Sequence, residues 1–372
     1  MIAPRLEVDL DAVSHNARTL VERLAVKGIR VTGVTKASLG SIGVAEALLR
    51  GGVSGLGDSR VENLERLRTG GITAPLTLIR SPMLSQVPAV VHHADRSLNT
   101  EGHVLDALST AATAAGTDHG VVLMVELGDL REGVAAEDVV DLARTVTTRR
   151  GLRLVGLGAN LACQSGVVPS QSNMDQLSSL VDQVEAVCGV ALSVVSGGNS
   201  ANIDWVLSTD DVGRIDELRL GESILLGTEP LHRRPVDGLR TDAFTLVAEV
   251  IESKCKPAQP WGDRAQTAFG DQVPRRGAGT VRQAIVALGR QDVDPDGITP
   301  PPGITVLGMS SDHLVVDVGD IDVSVGDELA FQLGYGALLR AMTSPFVTTR
   351  ETSTWPGPTS ALSSPQLVQP RT

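Results

Sequence analysis

The sequence predicts an α/β protein: a (β/α)8 TIM barrel followed by a C-terminal antiparallel β domain. Between Arg30 and Gly227, short aliphatic or β-branched runs alternate eight times with helical patterns, which is typical of a closed parallel sheet. After Pro230 the apolar runs follow one another without helices, which indicates antiparallel strands. The 372 residues, 42% of them hydrophobic, are enough for two cores.

Each predicted barrel strand is short, is flanked by turn residues and precedes a segment with helical periodicity. The eight predicted strands are 30–34, 54–57, 76–79, 94–97, 120–127, 152–158, 191–196 and 217–220. Helices fill the intervals, and the clearest are predicted at 11–24, 59–68, 136–149 and 171–187.

The second domain is predicted from five β-type runs, at 244–252, 282–288, 304–307, 313–317 and 328–331. Residues 1–10 are predicted to form a strand that joins this domain, 11–235 the barrel and 236–350 the β domain. The last stretch, 351–372, is rich in Ser, Thr and Pro, so we expect a disordered tail there.

Composition excludes several classes of partner. A net charge of −12 without a long basic cluster argues against nucleic acid binding. No basic segment precedes an apolar run at the N-terminus and no stretch approaches ~18 apolar residues, so we expect neither export nor a membrane partner. The cysteines Cys163, Cys188 and Cys255 are far apart, which argues against a disulfide framework or a metal site and favours the cytoplasm.

Lys36 is one of only four lysines, and it stands where the first predicted barrel strand ends. At that end of a barrel, partial desolvation lowers the pKa of an amine, and the neutral amine can attack an aldehyde. We interpret the aldehyde as that of pyridoxal 5'-phosphate. The alternative is a solvated lysine at the barrel rim.

Polar residues also follow the other strands, at the end where barrel enzymes carry their active sites. Two neighbouring turns of small residues, Ser196-Gly-Gly-Asn-Ser200 and Gly221-Glu-Ser223, suit a phosphate because each offers backbone N–H groups before a helix. The alternative for the first turn is an ordinary helix start capped by Ser200.

Several motifs together resemble those of the alanine racemase family, the fold-type III pyridoxal phosphate enzymes, in order from about residue 4 to 347. They are PRLEVDLDAVSHN (4–16), VTKA (34–37), ELGDLREG (126–133), NS (199–200) and LRLGESILLG (218–227). Three more, AFG (268–270), ALGRQD (287–292) and SSDHLVVD (310–317), look closest to the ornithine racemase branch of predicted amino-acid racemases.

The resemblance implies an amino-acid racemase and a role for each matching residue. Lys36 would bond the cofactor aldehyde and act as one base, Arg219 would face the pyridine nitrogen, and Arg131 would contact the phenolic oxygen and the substrate carboxylate. An arginine there cannot protonate the nitrogen, so the ring stays a weaker electron sink and racemisation is favoured over transamination. The remaining implied cofactor contacts are Asn160 beneath the ring, and Ser196, Asn199, Ser200, Gly221, Glu222 and Tyr335; Ser311 is an implied substrate contact.

One departure from the family concerns the second base. Alanine racemase takes a tyrosine from the β domain of a partner subunit, whereas the only tyrosine here, Tyr335, aligns elsewhere. Our candidates for that base are Asp312 and His313, followed by Cys255. The resemblance also implies a head-to-tail homodimer and a free amino acid as substrate. Acids that could receive a distal ammonium of that substrate are Glu222, Asp263, Asp271 and Asp292; the alternative for each is an ordinary solvated surface acid.

Three other functions stay open at this stage. A non-catalytic pyridoxal phosphate carrier resembles the chain around Lys36, but such carriers stop after the barrel. A lyase or decarboxylase on the same barrel would need motifs that are missing here. A sensor or scaffold could have lost its chemistry with the family tyrosine.

Overall fold

The structure is a computed structural model that describes residues 3–270 and 277–354. Its centre is a closed barrel of eight parallel strands, so the prediction of a (β/α)8 barrel followed by an antiparallel β domain is confirmed. The barrel strands in order are β2 (Arg30–Val34), β3 (Gly55–Asp58), β4 (Leu76–Leu78), β5 (Arg96–Asn99), β6 (His119–Met124), β7 (Leu152–Gly158), β8 (Val194–Ser196) and β9 (Glu217–Leu220).

The helices surround this barrel and bury apolar residues against the strands. They are α1 (Leu10–Ala25), α2 (Ile42–Arg50), α3 (Val61–Thr69), α4 (Val87–His93), α5 (Gly102–Ala115), α6 (Val139–Thr148), α7 (Gln171–Cys188), α8 (Ile203–Ser208) and α9 (Glu222–Leu226). None of the helices in the described ranges has both the length and the apolar character that crossing a bilayer requires.

Local sequence explains where the longest helices begin and end. The Asp9 carboxylate accepts hydrogen bonds from the backbone N–H groups of Asp11 and Ala12, and so caps α1. Ser170 and Asn173 form a reciprocal capping box at the start of α7, and Gly189 ends that helix with a φ of 66°. These caps fix where α1 begins and where α7 begins and ends.

The second domain is an eight-stranded sheet that includes both ends of the described chain. Its strands are β1 (Arg5–Asp9), β10 (Phe244–Pro257), β11 (Thr280–Val286), β12 (Ile298–Thr299), β13 (Thr305–Met309), β14 (Leu314–Asp317), β15 (Glu328–Leu333) and β16 (Thr348–Thr352). The main order is β12-β15-β10-β11-β14-β13, with β1 antiparallel to β10 and parallel to β16.

Strand β16 and helix α10 (Tyr335–Thr343) are structure that the sequence reading missed. The predicted start of the tail at residue 351 is too early, because Glu351 and Thr352 pair with β1 and the next two residues hydrogen-bond to Asp11. The rest of the predicted tail, 355–372, lies outside the described residues.

The barrel interior carries a polar cluster below the strand ends. The buried Glu217 accepts a hydrogen bond of 3.0 Å from the Thr32 hydroxyl and pairs with the Arg96 guanidinium. Arg96 Nε also donates to Thr77 Oγ1 at 2.7 Å. Because these charges are paired and hydrogen-bonded, the interior tolerates them, and they connect four strands beneath the mouth of the barrel.

Candidate active site

Lys36 begins a short 3-10 turn directly after β2. Its Nζ lies 5.6 Å from the centroid of the Tyr335 ring. Tyr335 is the first residue of α10, which packs against the turn that carries the lysine. Burial raises the pKa of Tyr335, against the opposing effect of the Lys36 charge, so the phenol stays protonated at neutral pH.

Asp58 fixes the strand end next to this lysine. Its carboxylate accepts hydrogen bonds from Thr35 Oγ1 at 2.7 Å, from Asn63 Nδ2 at 3.0 Å and from the backbone N–H of Arg60 at 2.9 Å. Desolvation raises the pKa of Asp58, and these bonds together with the Lys36 charge oppose that rise. Asp58 therefore holds the residue before Lys36 in place rather than facing a ligand.

The two turns of small residues lie side by side at the mouth of the barrel. Ser200 Oγ lies 3.0 Å from Ser223 Oγ, and it accepts a hydrogen bond from the Ser223 backbone N–H. A Cβ on Gly221 would lie 3.1 Å from the Val34 Cβ, so this turn runs tightly against the strand that leads to Lys36. Gly198 has a φ of 146°, which favours glycine in the other turn.

Arg219 is buried under the mouth, with 4% of its surface exposed. It donates to Ser196 Oγ and, at 2.7 Å, to the backbone oxygen of Ala159, both neutral acceptors. Burial lowers the pKa of its guanidinium. An arginine nevertheless remains cationic at neutral pH, so a fixed positive charge stands in the floor of the site.

Arg131 lies across the mouth from Lys36, in the loop after β6. Burial lowers the pKa of Arg131, but two hydrogen bonds and the charge of Glu132 outweigh it and raise the pKa. With its amide oriented so that the oxygen faces the guanidinium, Asn160 accepts from Arg131 Nη1 and Nη2, each at 3.2 Å. The Asn160 amide also lies 3.0 Å from Asn199 Nδ2, so the loops after β6, β7 and β8 approach one another here.

Comparisons with known proteins identify the family of this chain. The family described as alanine racemase, N-terminal domain, matches residues 8–230. Lysine racemase of Thermotoga maritima is 38% identical over 93% of this chain and 98% of its own. Ornithine racemase of Acetoanaerobium sticklandii is 36% identical over 92% of this chain and 98% of its own. The chain belongs to the alanine racemase family.

This alanine racemase family member is a pyridoxal phosphate-dependent amino-acid racemase, an isomerase, as the resemblance implies. Among solved structures, alanine racemase of Streptomyces coelicolor has a TM-score of 0.74 at 22% identity, with 93% of this chain and 97% of the other covered. D-threonine aldolase of Filomicrobium marinum reaches 0.70 at 19% identity, with 92% and 88% covered. At such low identity these two structures show the fold alone.

The side chains of the site fit pyridoxal phosphate chemically. An amine lies at the mouth for the aldehyde, hydroxyls and backbone N–H groups of the Ser200 and Gly221 turns suit the phosphate, and the Arg219 guanidinium suits the ring nitrogen. These residues come from the ends of three strands, β2, β8 and β9, and only the closed barrel brings them to one mouth. This explains why the sequence alone left the alternative of a solvated lysine open.

Cys163 is a site residue that the sequence reading did not select. Its Sγ lies 3.5 Å from Asn199 Nδ2, and it contributes to the electrostatic surroundings of Arg131 and Tyr335. The buried Asp129 carboxylate holds the loop by accepting from the backbone N–H groups of Cys163 and Gln164 at 3.0 and 2.9 Å. The signal in the sequence that could have pointed to Cys163 is its position three residues after Asn160, a residue already selected. Cys255, the cysteine chosen from the sequence, is exposed in β10.

Asp312 and His313, the predicted second base, lie together in the turn between β13 and β14. His313 Nδ1 is 2.7 Å from Asp312 Oδ1, and Ser311 Oγ donates to the same oxygen at 3.2 Å. The hydrogen bond from His313 lowers the pKa of Asp312. This turn is exposed, and no hydrogen bond or ion pair in the described residues joins it to Lys36 of the same chain.

One group of metal-ligand type occurs in the described ranges, made of Asp204, Glu229 and His232. Arg234 bonds both carboxylates, with Nη2 2.8 Å from Asp204 Oδ2 and Nε 3.1 Å from Glu229 Oε1. Glu229 also accepts from the backbone N–H groups of Leu231 and His232. A guanidinium thus already supplies the positive charge that these acids require.

Proposed function

We propose that this racemase interconverts the enantiomers of a basic amino acid, ornithine or lysine. The observation that carries the proposal is the identity of 38% and 36% with a lysine racemase and an ornithine racemase, each covered over 98% of its length. We further propose a head-to-tail homodimer in the reducing cytoplasm; the three unpaired cysteines support that compartment.

We propose the following division of work for the barrel, residues 11–235. When bound, pyridoxal phosphate supplies the electron sink that makes the substrate Cα–H acidic. Lys36 would hold its aldehyde and then move a proton to and from Cα on one face. The phosphate would be held by Tyr335, Ser200 and the backbone of Gly221 and Glu222. The cofactor ring and the surrounding protein loops would be supported by Ser196, Asn199 and Asn160.

The two arginines would orient the substrate and favour racemisation over transamination. The forked guanidinium of Arg131 suits both the phenolic oxygen and the substrate carboxylate, and its pairing with Glu132 fixes its orientation. Arg219 would face the ring nitrogen without giving it a proton. A ring left without that proton would be a weaker electron sink, which would favour racemisation over transamination.

A racemase must also move a proton on the opposite face of Cα. We propose that Asp312 and His313 do this from the β domain, residues 236–350, of a second copy, with Ser311 near the substrate. The exposure of their turn supports a role between copies, and the Asp312 carboxylate would orient the His313 imidazole as a general acid and base.

Exchange of the Cα hydrogen for deuterium in D₂O tests the proposed function. With L- and D-ornithine, lysine and alanine as substrates, a racemase exchanges both enantiomers of its substrate and leaves a racemic mixture. We expect this for ornithine or lysine. Consumption of the amino acid would indicate a lyase, and absence of exchange in cofactor-loaded protein would indicate a carrier; either result contradicts the proposal.

A further inference from the structure

We propose that Glu222 selects the substrate: its second carboxylate oxygen binds the distal ammonium of the basic amino acid. The inference rests on the proposed function, because it assumes that ornithine or lysine enters the site of Lys36. It assigns to the Glu222 side chain a role separate from that of its backbone in the phosphate turn.

The barrel topology brings Glu222 next to Lys36. Strands β2 and β9 are neighbours in parallel register, with Gly33 opposite Leu220. Lys36 follows that position on one strand and Glu222 follows it on the other, so both leave the barrel at the same end. The tight approach of Gly221 to Val34 keeps the two strand ends together.

Glu222 has one oxygen occupied and one available. Arg233 Nη1 lies 2.7 Å from Glu222 Oε1, and no hydrogen bond of the described residues reaches Oε2. Only 12% of the Glu222 side chain is exposed, whereas 63% of Arg233 is. The carboxylate is therefore held from the solvent side by Arg233, while the rest of it lies within the protein.

A carboxylate in this setting favours a further cation. Burial raises the pKa of Glu222, while the charges of Arg233 and Lys36 lower it. A buried carboxylate that is only half paired is costly, so a substrate ammonium at Oε2 would stabilise the charged form. A substrate with a neutral side chain would leave Oε2 unpaired.

Three other acids near the mouth already use both of their carboxylate oxygens. Asp58 accepts three hydrogen bonds, Glu132 uses both oxygens on Arg131, and Asp129 accepts backbone N–H groups with both oxygens. Of the acids proposed from the sequence, Asp292 bonds Gly289 and Ser344 within the β domain.

Of the two remaining acids proposed from the sequence, Asp263 is exposed in a loop and Asp271 lies outside the described residues. No hydrogen bond or ion pair of the described residues joins Asp263 to the barrel mouth. Among the candidate acids that the structure describes, Glu222 therefore combines proximity to Lys36 with an oxygen that can still accept.

The test compares ornithine with norvaline, its uncharged analogue. For the cofactor-loaded enzyme we would measure kcat/KM for both amino acids and, by calorimetry, their Kd. Glu222→Gln should lower the ornithine-to-norvaline ratio roughly tenfold or more in both measurements, because a charged hydrogen-bond partner is lost. Glu229→Gln removes a nearby buried carboxylate that has no open oxygen, and it should leave the ratio unchanged.

A second variant keeps the test decisive if Glu222→Gln does not fold. Arg233→Met alters an exposed side chain and frees Oε1, so the ratio should rise by roughly twofold to fivefold; a fall would overturn the assignment. Wild-type enzyme that acts on neither ornithine nor lysine would overturn the proposed function and this inference with it. A wild-type preference for ornithine that survives Glu222→Gln would overturn the role of Glu222 alone.

Discussion

The amine of Lys36 lies over the ring of Tyr335, with Nζ 5.6 Å from the ring centroid. The two residues come from opposite ends of the chain, one after the first barrel strand and one at the start of α10. Helix α10 is thus packed so that the one tyrosine of the sequence reaches the one lysine of the barrel mouth.

Tyr335→Phe removes the hydroxyl of this tyrosine and keeps its ring, so it tests the two parts separately. We expect the ring to keep α10 in place and the affinity for pyridoxal phosphate to fall about tenfold, since the hydrogen bond proposed between this hydroxyl and the charged phosphate would be lost. Equilibrium dialysis of cofactor-depleted protein measures this. Tyr335→Leu, which also removes the ring, should weaken binding further. Unchanged affinity in the Phe variant would show that the hydroxyl does not bind the phosphate.

Arg219→Glu tests how the ring nitrogen is controlled. A carboxylic acid can share a proton with that nitrogen, so we expect slower racemisation and more transamination per turnover. Chromatography of pyridoxamine phosphate and 2-oxo acid measures the side reaction, and Arg219→Lys, which keeps a cation, is the control. A Glu variant that racemises normally with no side product would show that this account of Arg219 is wrong.

Much of the fold could be read from the sequence because its signals are local. Each barrel strand is an apolar run before a helix, and all eight predicted runs overlap strands of the barrel. Strand β16 gave no such signal, because all five of its residues are exposed and its partner β1 lies at the other end of the chain. Likewise β10 extends to Pro257 through polar residues that have no strand pattern in the sequence. They form a strand because they pair with β11.

The residues of the candidate site likewise differ in whether the sequence could reveal them. Lys36, Arg219 and Ser200 could be selected because they stand at strand ends. The pairing of Glu222 with Arg233 could not, because Arg233 lies in a loop whose path depends on the folded barrel. The second base is harder still, since Asp312 and His313 would act on a different copy of the chain, and no pattern within one sequence records such a contact.

Asp312→Asn and His313→Asn test that second base. If the pair serves one face of Cα and Lys36 the other, each variant should lose deuterium exchange from one enantiomer at least about tenfold more than from the other. Mass spectrometry of each enantiomer after short incubation in D₂O measures this. Asp322→Asn, at a fully exposed aspartate of the same domain, is the control. Equal, minor losses would point to another residue, and Cys163 would be the next to replace.

His119 predicts how stability depends on pH. Burial lowers the pKa of this imidazole from 6.5 to about 4 in the folded protein. The unfolded chain therefore binds the proton more readily, so stability falls as the pH falls from about 6.5 to about 4, by up to the order of 3 kcal/mol. Thermal unfolding at fixed protein concentration should show this slope.

The slope should be reduced in His119→Gln and kept in His232→Gln, which alters an exposed histidine. His119 Nε2 lies 2.8 Å from Ser97 Oγ, so the Gln variant is also expected to be less stable than wild type at neutral pH. Equal slopes in wild type and His119→Gln would contradict the role given to this buried imidazole.

The most direct test of the account is to locate the covalent bond between protein and cofactor. Borohydride reduction of the cofactor-loaded enzyme, followed by digestion and mass spectrometry, should find the pyridoxyl group on Lys36. Lys36→Ala should lose colour and activity, whereas Lys27→Ala, at a lysine that bonds Thr209 away from the mouth, should keep both. A pyridoxyl group on another lysine, or coloured and active Lys36→Ala protein, would contradict the account.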